Sequence, residues 1–186
     1  MIRGEYSDAA TSFKTGLGYG LGDSKWLDHS QGYNDLGFAY LELGQISNAV
    51  SSFERALQIQ PRYPEVYYNM GRAFLANHQP DVAAEAFQSA LAQDASVADT
   101  HFNYANALGQ LGRNAEAITE YSKAVDLSHA QNPAMLGGLA EAYAKLGKFT
   151  EAAATARQAI QLAQLQKNGA LAGMLEARLR KYAAGP

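Results

Sequence analysis

The chain runs YNDLGFAYLELGQISNAVSSFERALQIQP from Tyr33 to Pro61 and YYNMGRAFLANHQPDVAAEAFQSALAQDA from Tyr67 to Ala95. The two stretches lie 34 residues apart and repeat the same residue types in the same order. Each begins with an aromatic residue, has a glycine four positions later, and has alanine and phenylalanine in its second half, at Ala49 and Phe53 and again at Ala83 and Phe87. A fixed offset of this kind indicates a helical-repeat architecture and decides the fold before any local prediction is made.

Two further copies follow the first pair. The third keeps the offset of 34 and has His101 at the aromatic position and Tyr121 at the phenylalanine position. The fourth is displaced by 35, which places one inserted residue near His129 to Pro133. It has Ala156 where the other copies have an aromatic residue. We therefore expect packing around the fourth copy to be looser, or to be completed by a segment further downstream.

These copies resemble the tetratricopeptide repeat family, whose 34-residue helix–turn–helix signature combines an aromatic residue, Leu-Gly, Ala-x3-Phe and a proline. The resemblance covers residues 30 to about 166. It implies an all-α fold, a right-handed α-solenoid of tandem helix–turn–helix repeats in which the first helices line a concave groove. The implied organisation is a partial repeat and linker at residues 1–29, complete repeats at 30–63, 64–97, 98–132 and 133–166, and a C-terminal capping helix at 167–186.

Glycine and proline mark the expected helix ends. Gly44, Gly112 and Gly147 share one repeat position, where a left-handed residue closes the first helix of a pair. The second copy has no glycine there. We expect Asn77 to adopt the left-handed conformation in its place, and Pro80 to open the next helix, where its missing N–H costs nothing.

Both ends of the chain depart from the repeat. Residues 5 to about 21 have the spacing of a second helix that lacks its first helix. Either the chain is a fragment of a larger protein, or the face around Tyr6 and Phe13 is covered by another chain, which would make a homo-oligomer through this half-repeat. Residues 168–183 have an amphipathic pattern and are predicted to form the helix that caps the fourth repeat.

Composition disfavours several classes of function. A net charge of −3 with only 15 Lys and Arg gives no basic stripe, so nucleic acid is not expected as a partner. The chain has no cysteine for thiol chemistry and no apolar run long enough for direct membrane insertion. Glycines at positions 16, 18, 20 and 22 follow a predicted helix and lack the spacing of a phosphate-binding loop.

The sequence contains no recognisable catalytic or metal-binding arrangement. The histidines lack the i, i+4 spacing of a helical metal site, and His101 is interpreted as a half-buried packing residue. No serine, histidine and carboxylate cluster can be assembled, so we expect no enzymatic activity, no metal and no cofactor. The compartment stays open, with the cytoplasm as the default and the periplasm as the alternative for a fragment of an exported or membrane protein.

The resemblance places the ligand-binding residues on the first helices of the repeats. The groove positions carried over form an aromatic and amide surface with an acidic bias: Asn34, Asp35, Phe38, Tyr68, Asn69, Arg72, Phe102, Asn103 and Asn106. Chaperone-binding members of the family hold a peptide's terminal carboxylate with lysine and arginine. This chain matches only Asn69 of those positions, and a carboxylate clamp is disfavoured because the others carry Asn34, Phe38, Asp99 and Asn103.

Asn69 and Asn103 share one repeat position, which resembles the partial asparagine ladder in the repeat domain of nucleocytoplasmic glycosyltransferases. An amide both donates and accepts, so it can bind a peptide backbone without reading its side chains. We expect both asparagines to be exposed in the groove, and their replacement by alanine to change folding stability little.

These observations favour a non-catalytic scaffold that binds an extended peptide or a partner helix in its concave groove. Two alternatives stay open at this stage. One is a structural module that stacks end to end with sister chains, and the other is a substrate-recruiting appendage of a larger enzyme such as a glycosyltransferase. RNA recognition is disfavoured because the groove has no basic track.

Overall fold

The structure, a computed structural model, describes residues 6–8, 10–11 and 26–184. Residues 6–8 and 10–11 are helical. Residues 26–184 form helices joined by short turns: α1 (Trp26–Glu42), α2 (Ile46–Ile59), α3 (Pro64–Ala76), α4 (Pro80–Leu91), α5 (Ala98–Gln110), α6 (Asn114–Leu127), α7 (Pro133–Lys145), α8 (Phe149–Leu165) and α9 (Gly169–Ala184). No described residue belongs to a β-strand. The chain divides into two compact units, Met1–Asp94 and Ala95–Pro186.

The core of the first unit is built on close contacts between glycine and phenylalanine. Helix α2 packs on α1 and α3, and α4 packs on α3. A Cβ atom added to Gly37 would lie 2.5 Å from Cε1 of Phe53, and one added to Gly71 would lie 2.5 Å from Cε1 of Phe87. Both phenylalanines are fully buried. Glycine is therefore required at these two positions because the aromatic ring occupies the space of a side chain.

In the second unit, different side chains form the packing at the C-terminal end. A Cβ atom at Gly138 would meet the ring of Tyr121 at 2.5 Å, so the aromatic residue of α6 packs against α7. Ala156 is fully buried, and no ring stands at its position in α8. Leu175 of α9 is buried and would lie 2.8 Å from a Cβ atom at Gly137 of α7, which is a different repeat position. The predicted capping helix therefore packs on the helices of the fourth repeat.

The turns within repeats confirm one prediction and correct another. Gly44, Gly112 and Gly147 have φ values of 75°, 74° and 73°, as predicted. In the second repeat the left-handed residue is His78, with a φ of 57°, and Asn77 has a φ of −90°. The assignment to Asn77 was wrong because the position in the repeat, rather than the residue's own preference, decides which residue is left-handed.

The turn before the fourth repeat, where the inserted residue lies, has an uncommon backbone conformation. His129 and Ala130 are consecutive left-handed residues, with φ values of 51° and 54°. They lie between Leu127, the last residue of α6, and Pro133, the first residue of α7. Proline at the first position of α7 lacks only an N–H that a helix leaves unpaired, and the side chain of Asn132 caps this helix by accepting a hydrogen bond from the N–H of Ala134 at 3.0 Å.

The described N-terminal residues pack on the first unit. Ala10 is buried in a cluster with Leu36 and Ala39 of α1, and the ring of Tyr6 lies edge-on to that of Phe38, with 6.2 Å between centroids. Tyr6 therefore contacts its own chain. Phe13 and the glycines at positions 16, 18, 20 and 22 lie outside the described residues. Among the helices that the structure does describe, none is both long and apolar enough to span a membrane.

Candidate protein-binding site

Helices α1 and α3 of the first unit present one shared face, which holds six of the nine predicted site residues. Predicted residues on α1 and α3 lie three or four positions apart, a spacing that keeps them on one side of a helix. We call this surface the α1–α3 face; it consists of Asn34, Asp35, Phe38 and Glu42 on α1 and of Glu65, Tyr68, Asn69 and Arg72 on α3. Several side-chain contacts join the two helices along its length.

Two amides form the buried part of the face. Nδ2 of Asn69 donates to Oδ1 of Asn34 at 3.0 Å, and Nδ2 of Asn34 donates to Oε1 of Glu65 at 3.2 Å. Asn34 is 2% exposed and Asn69 is 4% exposed. The expectation that Asn69 is exposed was therefore wrong, because its amide is buried in a hydrogen bond between α3 and α1. Removing one partner would leave a buried polar atom unpaired.

The exposed part of the face is built around a guanidinium group. Nη2 of Arg72 donates to Oε1 of Glu42 at 2.9 Å. The guanidinium carbon lies 5.5 Å from the ring centroid of Phe38 and 6.0 Å from that of Tyr68, within the range of cation–π attraction. The Tyr68 ring also packs against Phe87, at 6.0 Å between centroids. Arg72 is thus held in one orientation by a carboxylate and two rings.

Two carboxylates stand at the N-terminal end of the face. Burial, and next the negative charge of Glu65, raise the pKa of the Asp35 carboxyl, while a hydrogen bond with Asn34 lowers it in part. Tyr63 lies close to both carboxylates. Burial and these two charges raise the pKa of its hydroxyl. An ionised Asp35 is therefore less favourable in the folded chain than in water.

The remaining three predicted site residues belong to α5 of the second unit. The Phe102 ring packs against Tyr121 at 5.7 Å between centroids, and the Tyr121 hydroxyl donates to Oδ1 of Asn106 at 2.5 Å. Burial raises the pKa of the Tyr121 hydroxyl well above its ordinary value. Nδ2 of Asn103 donates to the carbonyl of Asp99 within α5, at 3.0 Å. Asn69 and Asn103 each form a hydrogen bond within their own unit. The asparagine ladder inferred from their shared repeat position stays a prediction.

A carboxylate of the second unit is surrounded by cations. Oε2 of Glu141 on α7 lies 2.8 Å from Nη1 of Arg178 on α9, and its Oε1 lies 3.3 Å from Nζ of Lys145. The capping helix therefore supplies one charge of this cluster in addition to its apolar packing. Among the described residues, no three His, Asp or Glu side chains are arranged to hold a metal ion.

Sequence reasoning missed a buried pair of titratable side chains in the third repeat. His101 is 5% exposed; its Nδ1 lies 2.6 Å from Oε2 of Glu120 and its Nε2 lies 3.1 Å from the carbonyl oxygen of Ala95. At the same position of the second repeat, the hydroxyl of Tyr67 donates to the carbonyl of Pro61 at 3.5 Å. The signal in the sequence was a paired change, since the residues 34 positions before His101 and Glu120 are Tyr67 and Ala86.

The fold and the face together define a class of protein. Within each unit, helix pairs recur at the repeat period and pack on neighbouring helices in chain order, which is the construction of an α-solenoid. A family model described as TPR repeat matches residues 32–77, and one described as tetratricopeptide repeat matches residues 68–131 and again 105–167. The chain belongs to the tetratricopeptide repeat family. Members of this family generally mediate protein–protein interactions.

Solved structures share the fold at low sequence identity. The chain is similar to a crystal structure of MamA, with a TM-score of 0.77 and 20% identity over 90% of this chain and 94% of that one. It is also similar to TTC0263, described as a thermophilic TPR protein in Thermus thermophilus, with a TM-score of 0.69 and 21% identity over 97% of this chain and 92% of that one. These similarities confirm the predicted all-α solenoid.

A curated relative is a longer protein. The chain is 30% identical over 95 residues to the tetratricopeptide repeat domain-containing protein PYG7, chloroplastic, of Arabidopsis thaliana. The match covers 50% of this chain and 31% of that protein. The chain thus spans about a third of the length of this relative.

Proposed function

We propose that the protein is a non-catalytic protein-binding scaffold whose α1–α3 face binds an extended peptide or a helix of a partner protein. The observation that carries this proposal is the orientation of Arg72 above Phe38 and Tyr68 by its bond to Glu42. A guanidinium has five N–H donors, so Arg72 can donate to ligand carbonyls while it keeps its bond to Glu42.

The aromatic side chains add the apolar contribution. Phe38 and Tyr68 are half-buried and already packed against Tyr6 and Phe87, respectively. A ligand that covers them loses little free energy in ordering them, and preorganised aromatic and arginine side chains carry much of the binding energy in protein interfaces. Phe38 and Tyr68 therefore supply the apolar part of the proposed surface.

Peptide display against the full chain tests the proposal, because the partner is unidentified. We would select 12-residue peptides and measure the affinity of the enriched sequences for the intact protein, for Phe38→Ala with Tyr68→Ala, and for Arg72→Gln. Loss of an interface hot spot costs more than about 1 kcal/mol, so each variant should bind about fivefold more weakly or worse. Circular dichroism checks that each variant is folded.

The matched control removes exposed apolar side chains elsewhere. Leu127 and Leu146 are 39% and 44% exposed and belong to the second unit. Leu127→Ala with Leu146→Ala should leave the affinity unchanged. Peptides that lose affinity for the control and keep it for Phe38→Ala with Tyr68→Ala would contradict the proposal. A molecular mass that rises with concentration in sedimentation velocity would favour end-to-end assembly of sister chains instead.

A further inference from the structure

The carboxylates of the α1–α3 face differ in how their charges are neutralised. Glu42 is paired with Arg72. Within residues 26–184, neither Asp35 nor Glu65 forms an ion pair with a lysine, arginine or histidine. The Arg72 and Glu42 charges cancel, so the face keeps the two negative charges at its N-terminal end.

Asp35 is in an unfavourable environment for a negative charge. The side chain is half-buried, and burial together with the Glu65 charge raises the pKa of its carboxyl. Asn34, its hydrogen-bond partner, is itself committed to Asn69 and Glu65. The described residues therefore relieve the repulsion between the two carboxylates only in part, and a positive charge placed between them would relieve it further.

The charge of the whole first unit has the same sign. Residues 1–94 contain 6 Lys and Arg and 11 Asp and Glu, a formal charge of −5, whereas residues 95–186 contain 9 and 7, a formal charge of +2. A unit with a field of one sign attracts partners of the opposite sign and raises their rate of association. Local and long-range electrostatics thus favour the same kind of ligand.

We propose that the α1–α3 face accepts an extended protein segment that carries lysine or arginine, with the cationic group at Asp35 and Glu65 and a neighbouring side chain on the rings of Phe38 and Tyr68. This inference rests on the proposed function and adds the chemistry of the partner.

The spacing of the face suits such a segment. Asp35 and Phe38 on α1, like Glu65 and Tyr68 on α3, are three residues apart, which is about 4.5 Å along a helix axis. In an extended peptide, alternate side chains on one edge are about 7 Å apart. The long, flexible side chain of lysine or arginine can span the difference between the helix spacing and the peptide spacing. Its aliphatic part can lie along the rings while its charge reaches the carboxylates.

Parallel display selections test this inference separately from the function. The bait is the full chain, either unchanged or as Asp35→Asn with Glu65→Gln; the control bait, Glu54→Gln with Glu85→Gln, removes the same charge from exposed positions on α2 and α4 of the same unit. Glutamine at position 65 keeps an oxygen for the Asn34 hydrogen bond.

We expect lysine and arginine to be enriched in the peptides selected by the unchanged and control baits, and not in those selected by Asp35→Asn with Glu65→Gln. An enriched basic peptide should bind this double variant about tenfold more weakly, and 0.5 M salt should remove most of that difference. Peptides that need Phe38 and Tyr68 but carry no excess of basic residues would overturn the inference and leave the proposed function intact. Peptides indifferent to both rings would overturn both.

A second copy of the chain is the competing occupant, since α9 exposes Arg180 and Lys181. Sedimentation equilibrium over a range of concentrations distinguishes it from a separate partner. We expect one mass at all concentrations. Self-association that is lost both in Asp35→Asn with Glu65→Gln and in Arg180→Glu with Lys181→Glu would overturn the assignment to a separate partner.

Discussion

The two units of the chain use one repeat framework and differ in what completes it. In the first unit, phenylalanine side chains of α2 and α4 fill the space against glycines of the preceding helices. In the second, the last repeat lacks that ring, and Leu175 of the capping helix is buried against α7 at another position. The surfaces differ in parallel, since Glu141 has two cations from its own chain while Asp35 and Glu65 have none among the described residues. The two units therefore differ both in the side chains that complete their packing and in how these carboxylates are paired.

The core of the first unit should give the largest effect. Phe87→Ala removes a fully buried ring and should lower the free energy of unfolding by about 3–5 kcal/mol, because the backbone around Gly71 cannot close the cavity. Urea unfolding followed by circular dichroism measures it. A loss below about 1 kcal/mol would show that the ring does not hold α3 and α4 together.

Truncation of a buried side chain on the capping helix should be somewhat less costly. Leu175→Ala truncates a side chain that is 2% exposed and should cost about 2–4 kcal/mol, since it opens a space against α7. Met174, the preceding residue, is 51% exposed, and Met174→Ala should change stability by less than about 0.5 kcal/mol. Equal effects of the two changes in thermal unfolding would refute the role given to the capping helix.

The buried amides of the α1–α3 face should give an intermediate effect. Asn69→Ala leaves Oδ1 of Asn34 without its donor and should cost about 1–3 kcal/mol. Asn48→Ala is the matched change, because Asn48 is exposed and its amide donates to the exposed Gln45. It should cost less than about 0.5 kcal/mol. If chemical unfolding ranks the two changes the other way, the amide network does not tie α1 to α3.

The smallest effect, of opposite sign, is expected at Asp35. The pKa of the Asp35 carboxyl is raised in the folded chain, so the native state binds a proton more readily than the unfolded state does. Protonation therefore favours the native state, and stability increases as the pH falls from the raised pKa to the ordinary pKa of 3.8. Asp35→Asn should therefore stabilise the protein at pH 7, by about 0.5 kcal/mol or less because the site is partly solvated.

The pH dependence of this difference gives the check. The stabilisation by Asp35→Asn should shrink on acidification and vanish below pH 3.8, where the carboxyl is protonated in both states. Unfolding midpoints of both proteins at matched pH values measure it. A destabilised Asp35→Asn at pH 7 would mean that the charge of Asp35 is compensated within the chain.

The sequence predicted the repeat-level features well because they depend on period. The 34-residue offset located the aromatic positions, and the shared glycine position predicted the left-handed residues at Gly44, Gly112 and Gly147. His78 follows the same period, because it lies 34 residues after Gly44. The assignment to Asn77 failed because it relied on residue preference, whereas the register of the repeat imposes the conformation on a residue that does not prefer it.

The candidate site was predicted less well, for a physical reason. Burial of Asn69 depends on how closely α3 approaches α1, which a groove position alone does not specify. The contact between His101 and Glu120 joins residues 19 positions apart on two helices, and neither residue is unusual by itself. Only the paired departure from Tyr67 and Ala86 at the repeat offset carries the information. Side-chain networks across helices depend on tertiary packing and are not encoded in a single motif.

An NMR titration would show where a selected peptide binds on the chain. The isotope-labelled full chain would be titrated with the tightest peptide from display, and the side-chain signals of Asn34, Asn69 and Arg72 would be followed together with the backbone amides. We expect the largest shifts on α1 and α3, with Arg72 Nε and the amides next to Asp35 and Glu65 among them. Shifts confined to α2 and α4, or to helices of the second unit, would contradict it.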